Sequence, residues 1–236
     1  MQGGFLTYAL LAALATALLI AAITDLRRRQ IDNWLNAGIA LLAPVYWLAS
    51  GLGWIEIAFQ LGLAIVVFLI GAALFAARQM GGGDVKLLTA LALWIVPVSF
   101  AKLFVMMAMI GGAMSVAAAA FNMRRGGGET IRTVLAATAA TVLVGFCAGA
   151  VYTMSTGRPA VPDAVRDTVS AALPEGVAFW VLGGAVIAAL LLGVWHLVRR
   201  QRAPLRIPYG VAISAAGLWI LVNQHFNAIS PGGAFG

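Results

Sequence analysis

The chain has 236 residues, of which 62% are hydrophobic and only 10% are charged. A soluble domain carries about 25% charged residues, so this composition excludes a water-soluble globular protein and indicates one that crosses a membrane several times. The net charge of +7 does not indicate a nucleic-acid partner, because the basic residues fall in alternate connections between apolar segments. Long apolar segments favour helices over a β-barrel, whose strands alternate polar and apolar residues over about ten positions.

The first apolar segment, residues 5–24, is about long enough to span a bilayer. No Lys or Arg precedes it, and Arg27, Arg28 and Arg29 follow it. A signal peptide has the opposite order of charge. We therefore predict that this segment stays in the protein, with its N-terminus outside and its C-terminal end in the cytoplasm.

Seven more apolar segments follow, which gives about eight predicted transmembrane helices in an all-α polytopic membrane protein. They cover about residues 35–50, 55–77, 86–99, 101–121, 132–154, 177–198 and 209–226. The short second and fourth segments could be tilted or only partly inserted. In the polar stretch 155–176, apolar residues recur every four positions, which predicts a short amphipathic helix on the membrane surface. These residues are Val161, Val165, Val169 and Leu173.

The basic residues fix the predicted orientation, because cytoplasmic connections of membrane proteins are enriched in Lys and Arg. On the predicted cytoplasmic side lie Arg27, Arg28, Arg29, Arg78, Lys86, Arg124, Arg125, Arg132, Arg199, Arg200, Arg202 and Arg206, and on the outer side Lys102, Arg158 and Arg166. This asymmetry predicts that the N-terminus and the C-terminus are both extracytoplasmic.

Three of the acidic residues lie at or near cytoplasmic span ends: Asp25, Asp32 and Asp84. The simplest structural interpretation pairs Asp25 with a neighbouring arginine and makes Asp84 a helix N-cap, a position that aspartate favours. The other acids are interpreted as solvated surface charges. They are Glu56, Glu129, Asp163, Asp167 and Glu175.

The functional interpretation makes Asp25 and Asp84 a pair. Two carboxylates held close together cannot both ionise easily, so they share a proton. One can then draw a proton from water while the other donates a proton to a peptide carbonyl. Such chemistry needs no metal, no cofactor and no cysteine or serine nucleophile, and we predict none, because Cys147 lies inside an apolar segment and His196 and His225 are far apart.

Two other classes of site, a phosphate-binding loop and a transport site, have less support in the sequence. Gly81 to Lys86 lacks the spacing of a Walker A phosphate-binding loop and its Ser or Thr. A transporter or assembly subunit could use Asp25 and Asp84 as proton- or ion-binding acids. However, neither acid falls in the middle of a predicted span, where transport sites usually lie.

Two stretches carry a family resemblance. Asp25 is followed by a basic run and then Ile31-Asp32-Asn33, and two spans later comes Gly81-Gly82-Gly83-Asp84-Val85-Lys86-Leu87-Leu88. Together they resemble the type IV prepilin peptidase family, which are intramembrane aspartyl proteases with a G-x-G-D motif. The stretch Ile207-Pro208-Tyr209-Gly210-Val211-Ala212-Ile213 is similar to the last helix of the short branch that serves Flp-type (tight adherence) pili. The resemblance covers about residues 5–121 and 203–222.

The resemblance implies that Asp25 and Asp84 are catalytic and that the motif around Gly81, Gly82, Gly83 and Lys86 contacts the substrate. It implies cleavage of the short basic leader of prepilins at the cytoplasmic face of the bacterial cytoplasmic membrane, just before the apolar helix of the pilin. The implied partners are the prepilin, the lipid bilayer, and pilus-assembly proteins or a second copy of the chain. The alternatives are a peptidase of the same family that acts on pseudopilins of a secretion system, and the transporter or assembly subunit.

Three features depart from the family pattern. Asp32 stands where the family usually has proline, and a helix continuing from Asp25 would place both acids on one face, which makes Asp32 a rival catalytic candidate. Residues 122–200 have no counterpart in the short branch, so we predict a six-helix core with an insertion of two added helices, within a single domain spanning residues 1–236. The chain has no Cys-x-x-Cys motif, so N-methylation of the new pilin terminus is not predicted.

Overall fold

In a computed structural model, which describes residues 4–122, 130–160, 162–172, 177–199 and 207–225, all regular secondary structure is helical. The helices of these ranges are α1 (Phe5–Arg28), α2 (Asn33–Ser50), α3 (Trp54–Ala76), α4 (Gly82–Ala92), α5 (Pro97–Phe121), α6 (Thr130–Thr156), α7 (Asp163–Ala172), α8 (Val177–Arg199) and α9 (Tyr209–His225). In the described part of the chain, α1, α3, α5 and Ala136–Met154 of α6 are long and apolar enough to cross a membrane. The predicted all-α class is confirmed.

The helices belong to two compact units. The first contains α1 to α4, α5 as far as Ala108, and α9, and the second contains the rest of α5 with α6, α7 and α8. Helices α1 and α9, which lie at opposite ends of the sequence, therefore share one unit.

The short helix α4 lies at the centre of the first unit. It packs against α2, α3 and α9, while α1 packs against α2 and α9. Leu87, Leu91 and Ile95 are fully buried in this core. Many apolar side chains of α3 point outwards instead, as in Leu69, which is 60% exposed. Outward apolar residues suit a helix whose surroundings are lipid.

The structure corrects the predicted fourth segment, 86–99. Helix α4 has only 11 residues, about 16 Å of helix, whereas the hydrocarbon core of a bilayer is about 30 Å thick. A turn follows in which buried Trp94 donates its indole N–H to the carbonyl oxygen of Ile39 at 2.8 Å. Pro97 then begins α5, at a helix position that suits a residue without an N–H.

The second unit has a small-residue contact between helices. Ala119, Ala136 and Ala140 are buried together, with Val116 and Ala120 packed against them, and α6 packs against α8. Helix α7 covers the middle of the predicted amphipathic segment. Several positions of the predictions lie outside the described residues: Arg124, Arg125, Glu129, Val161, Leu173, Glu175, Arg200, Arg202 and Arg206.

Candidate functional site

The end of α1 and the start of α2 bring the first two aspartates together without one continuous helix. Helix α1 ends after Arg28, where Arg29 takes a left-handed conformation (φ 54°, ψ 37°) and donates its backbone N–H to the carbonyl oxygen of Asp25 at 2.8 Å. Asp32 then forms the N-cap of α2. The structure thus corrects the expectation that a continuing helix aligns Asp25 with Asp32.

A cavity of about 390 Å³ lies where the end of α1 meets the starts of α2 and α4. Both predicted catalytic aspartates and the rival Asp32 line it, as do the three glycines of the motif. The lining residues are Asp25, Arg29, Gln30, Ile31, Asp32, Asn33, Gly81, Gly82, Gly83 and Asp84. Segments that are distant in the sequence therefore contribute their acids to one space.

Asp84 is the third residue of α4, and the N-cap of that helix is Gly81, so the N-cap interpretation of Asp84 is corrected. Burial, joined by the nearby charge of Asp25, raises the pKa of Asp84 from 3.8 to about 6, and a hydrogen bond from the Gly81 backbone N–H opposes the shift. A carboxyl group with this pKa carries a proton far more often near neutral pH than an ordinary aspartate does.

Asp25 is only 6% exposed and lies against the first turn of α9. Burial raises the pKa of Asp25 above its usual 3.8, and the backbone amides of Gly210 and Val211 and the charge of Arg29 oppose part of that rise. Its Oδ2 accepts no hydrogen bond and faces Gly210, where a Cβ atom would lie 2.7 Å from it. Gly210 belongs to the segment that resembles the last helix of the family, but it was not predicted to belong to the site. The available signal was a glycine directly after Pro208-Tyr209 at a helix start.

The motif glycines are packed closely by the chain itself. A Cβ atom at Gly81 would lie 2.9 Å from Oδ2 of Asp84, and one at Gly83 would lie 3.3 Å from Cβ of Ile31. Glycine at these positions therefore lets the start of α4 approach its own carboxylate and the α1–α2 connection. The expectation that these glycines also admit a substrate backbone stays a prediction.

Lys86 lies outside the carboxylate cavity. It lines a neighbouring cavity of about 310 Å³ together with Asn33 and Asn36. Its Nζ donates a hydrogen bond to Oδ1 of Asn33 at 2.7 Å, and Nδ2 of Asn36 donates a long one of 3.5 Å to the carbonyl oxygen of Gly83. Both bonds join the start of α2 to the start of α4. This gives Lys86 and the two asparagines, which were not predicted as site residues, a structural role beside the acids.

The described ranges contain no group of three or more His, Cys, Asp or Glu side chains that could hold a metal ion. The lining of the carboxylate cavity offers carboxyl groups, the backbone at the starts of α2 and α4, and Arg29.

The sequence matches the profile of the type IV leader peptidase family over residues 12–154, more than half of the chain. The chain belongs to this family. The family assignment confirms the resemblance at the level of the family and points to a peptidase in a multi-pass membrane protein. Membership of the branch that serves Flp-type pili stays a prediction. Residues 12–154 include Asp25, Asp84 and the whole lining of the carboxylate cavity, and end before α9. Neither the curated proteins nor the solved structures gave a match to the chain.

Proposed function

We propose that this leader peptidase family member is an aspartic endopeptidase that removes the short basic leader of Flp-type prepilins, with Asp25 and Asp84 as its catalytic pair. One observation carries the proposal. Both carboxylates line the same cavity, and the charge of Asp25 contributes to a pKa of about 6 at Asp84. Two acids that influence each other's ionisation can share a proton, which metal-free hydrolysis of a peptide bond requires.

In the proposed reaction, the Asp25 carboxylate accepts a proton from water while the water oxygen bonds to the scissile carbonyl carbon. Asp84 donates its proton to the carbonyl oxygen, which gives a neutral diol. The diol collapses when Asp25 returns its proton to the amide nitrogen, the C–N bond breaks, and a hydroxyl proton passes back to Asp84. Atoms and charge balance, and both acids return to their starting states. The pKa of Asp84 makes it the natural proton donor.

The proposed topology keeps eight crossings with both termini extracytoplasmic, in the bacterial cytoplasmic membrane. The fourth crossing would begin after Asp84 and combine the rest of α4 with the turn at 93–96, where Trp94 and Ile95 are buried. Non-helical backbone is tolerated at membrane depth when protein covers it. The carboxylate cavity then faces the cytoplasm, where a basic leader would arrive, and the apolar helix of the prepilin lies in the bilayer.

The partners of the proposed enzyme are the prepilin and lipid, with pilus-assembly proteins or a second copy of the chain. The segment 122–200 is proposed as an insertion relative to the short branch, and the single chain serves one peptidase activity.

The test is prepilin processing in membranes. The chain is co-expressed with a Flp-type prepilin, and precursor is resolved from mature product for wild type, Asp25→Asn, Asp84→Asn and Asp32→Asn. A secretion-system pseudopilin, tested in parallel, examines the substrate class. Membrane levels of each variant are measured by immunoblot.

We expect wild type and Asp32→Asn to process the prepilin and the other two variants to lose processing. Loss in Asp32→Asn with retention in Asp25→Asn would keep the peptidase but move one catalytic role to Asp32. Cleavage of the pseudopilin alone would change the substrate. If the wild type inserts normally and processes neither substrate, the peptidase proposal fails and a transporter or assembly subunit is favoured.

A further inference from the structure

The two aspartates have different neighbours at their buried oxygens. Gly81, the N-cap of α4, donates its backbone N–H to Asp84, so that carboxylate interacts with the helix to which it belongs. Asp25 interacts with a helix that is remote in the sequence, through the amides of Gly210 and Val211. Its unpartnered Oδ2 lies directly against the backbone of Gly210.

The position of Gly210 at the start of α9 determines how this contact acts on the charge of Asp25. It is the second residue of α9, so its N–H has no acceptor within the helix and belongs to the positive end of the helix dipole. An anion is stabilised at such an end, more so where water is excluded. Because a side chain at Gly210 would start 2.7 Å from Oδ2 and 2.9 Å from Cγ of Asp25, only glycine lets the carboxylate lie this close to the start of α9.

We propose that Gly210 is a positioning residue that lets the start of α9 hold Asp25 in its ionised state, ready to act as the general base. The ionisation of Asp25 can be tested on this chain without a substrate, whereas its role as the general base rests on the proposed function. Gly210 lies outside the part of the chain that matches the family profile, residues 12–154.

Other charged and titratable groups also face Asp25. Arg29 on α1 lowers the pKa of Asp25, while Asp84 on α4 and Asp32 at the start of α2 share its cavity. Tyr209 precedes Gly210 on α9. A test must therefore change the α9 contact and leave these groups in place.

Gly210→Ala meets this requirement, and Gly217→Ala is its matched control. Both glycines lie on α9, and both face α1. A Cβ atom at Gly217 would lie 3.1 Å from Cδ1 of Leu18, so the control adds a crowded methyl group to the same helix pair without touching a carboxylate. The methyl group at position 210 would also lie 2.8 Å from Cδ1 of Ile31. The double variant Gly210→Ala/Ile31→Val removes that clash and leaves the one with Asp25.

The measurement is labelling by dicyclohexylcarbodiimide, which reacts with protonated carboxyl groups. Purified protein in detergent is labelled across pH 4 to 8, and the modified peptides are quantified by mass spectrometry for Asp25 and Asp84 separately. A change in reagent access scales a labelling curve, whereas a change in ionisation moves its midpoint.

In wild type we expect the midpoint of Asp25 labelling to lie below that of Asp84. Gly210→Ala should move the Asp25 midpoint upward by about one pH unit, a tenfold change in the protonated fraction, and the double variant should keep this shift. Gly217→Ala should leave it in place. An unshifted midpoint in Gly210→Ala, or a shift reversed by Ile31→Val, overturns the inference. If Gly210→Ala does not accumulate, the two labelling midpoints of the wild type decide. A midpoint for Asp25 above that of Asp84 then overturns the inference.

Cleavage kinetics then separate this inference from the proposed function. With the Flp-type prepilin, Gly210→Ala should lower kcat by about 100-fold with little change in KM, because the base is misplaced. It should also move the acid limb of the pH–rate profile to higher pH. Expected labelling without cleavage by the wild type would refute the peptidase and keep the assignment of Gly210. If the wild type cleaves the prepilin and Gly210→Ala and Gly217→Ala have equal effects, the peptidase is supported and the assignment of Gly210 is refuted.

Discussion

We predict that the stability of Asp84→Asn relative to wild type increases as the pH rises. The pKa of Asp84 is about 6 in the folded protein against 3.8 ordinarily, so the folded state binds the proton more tightly than the unfolded state does. The contribution of Asp84 to the unfolding free energy of the wild type therefore falls as the pH rises from about 4 to about 6, and this loss is complete above about pH 7. Two pKa units correspond to about 3 kcal/mol, which asparagine does not lose because it has no charge to bury.

The assay is thermal unfolding of wild type and Asp84→Asn in one detergent, at intervals from pH 4 to pH 8. The difference in Tm, variant minus wild type, should widen by about 6 to 12 °C across this range for a chain of this length. In an Asp25→Asn background it should widen less but still clearly, because burial is the larger cause and the Asp25 charge the smaller one. A difference that is constant with pH would refute the environment assigned to Asp84. An equal widening in both backgrounds would refute the coupling of the two acids.

Two further predictions concern the contacts around the site. Prepilin cleavage should fall by the same factor, about 3- to 10-fold, in Lys86→Met, in Asn33→Ala and in the double variant. The reason is that each variant removes the same hydrogen bond, between Nζ of Lys86 and Oδ1 of Asn33. Additive losses in the double variant would contradict this role. Trp94→Phe should lower the unfolding free energy by about 1 kcal/mol, because it removes the buried hydrogen bond from the indole N–H to the carbonyl oxygen of Ile39. Its kcat should be unchanged, and a loss of kcat at wild-type Tm would show that Trp94 acts in catalysis.

The sequence predicts those features of the fold that are local. The apolar segments, the break after Asp25 and the glycine-rich approach to Asp84 are all visible in short windows. Apart from α4, the membrane-spanning helices begin and end within about four residues of the predicted positions. The end of α4 at Ala92 is not visible in this way, because the apolar run continues through Val96. Tertiary hydrogen bonds hold the turn that follows, from Trp94 to α2 and from Trp47 to the carbonyl oxygen of Leu93.

The candidate site was predictable in its acids and not in their surroundings. Asp25 and Asp84 attract notice because charges are rare in such a chain, and each lies beside a span end. Nothing in a single sequence relates Asp25 to Gly210, since the contact depends on α1 and α9 packing together across the whole length of the chain. The role of Asn33 was hidden for the same reason, because its partner Lys86 lies two helices away.

A shared-proton pair needs two environments that differ, because acids in identical surroundings would have no preferred donor and acceptor. Burial raises the pKa of both carboxyl groups, so it favours a proton on each acid. A further difference comes from what each glycine lets its acid approach. Gly81 brings one N–H of α4 to Asp84, whereas Gly210 brings the start of a separate helix to Asp25, beside Arg29. The two glycines therefore place different groups beside the two acids. Gly210→Ala would crowd Asp25 away from the start of α9. The two acids should then lose the difference by which one accepts a proton from water and the other donates a proton to the substrate.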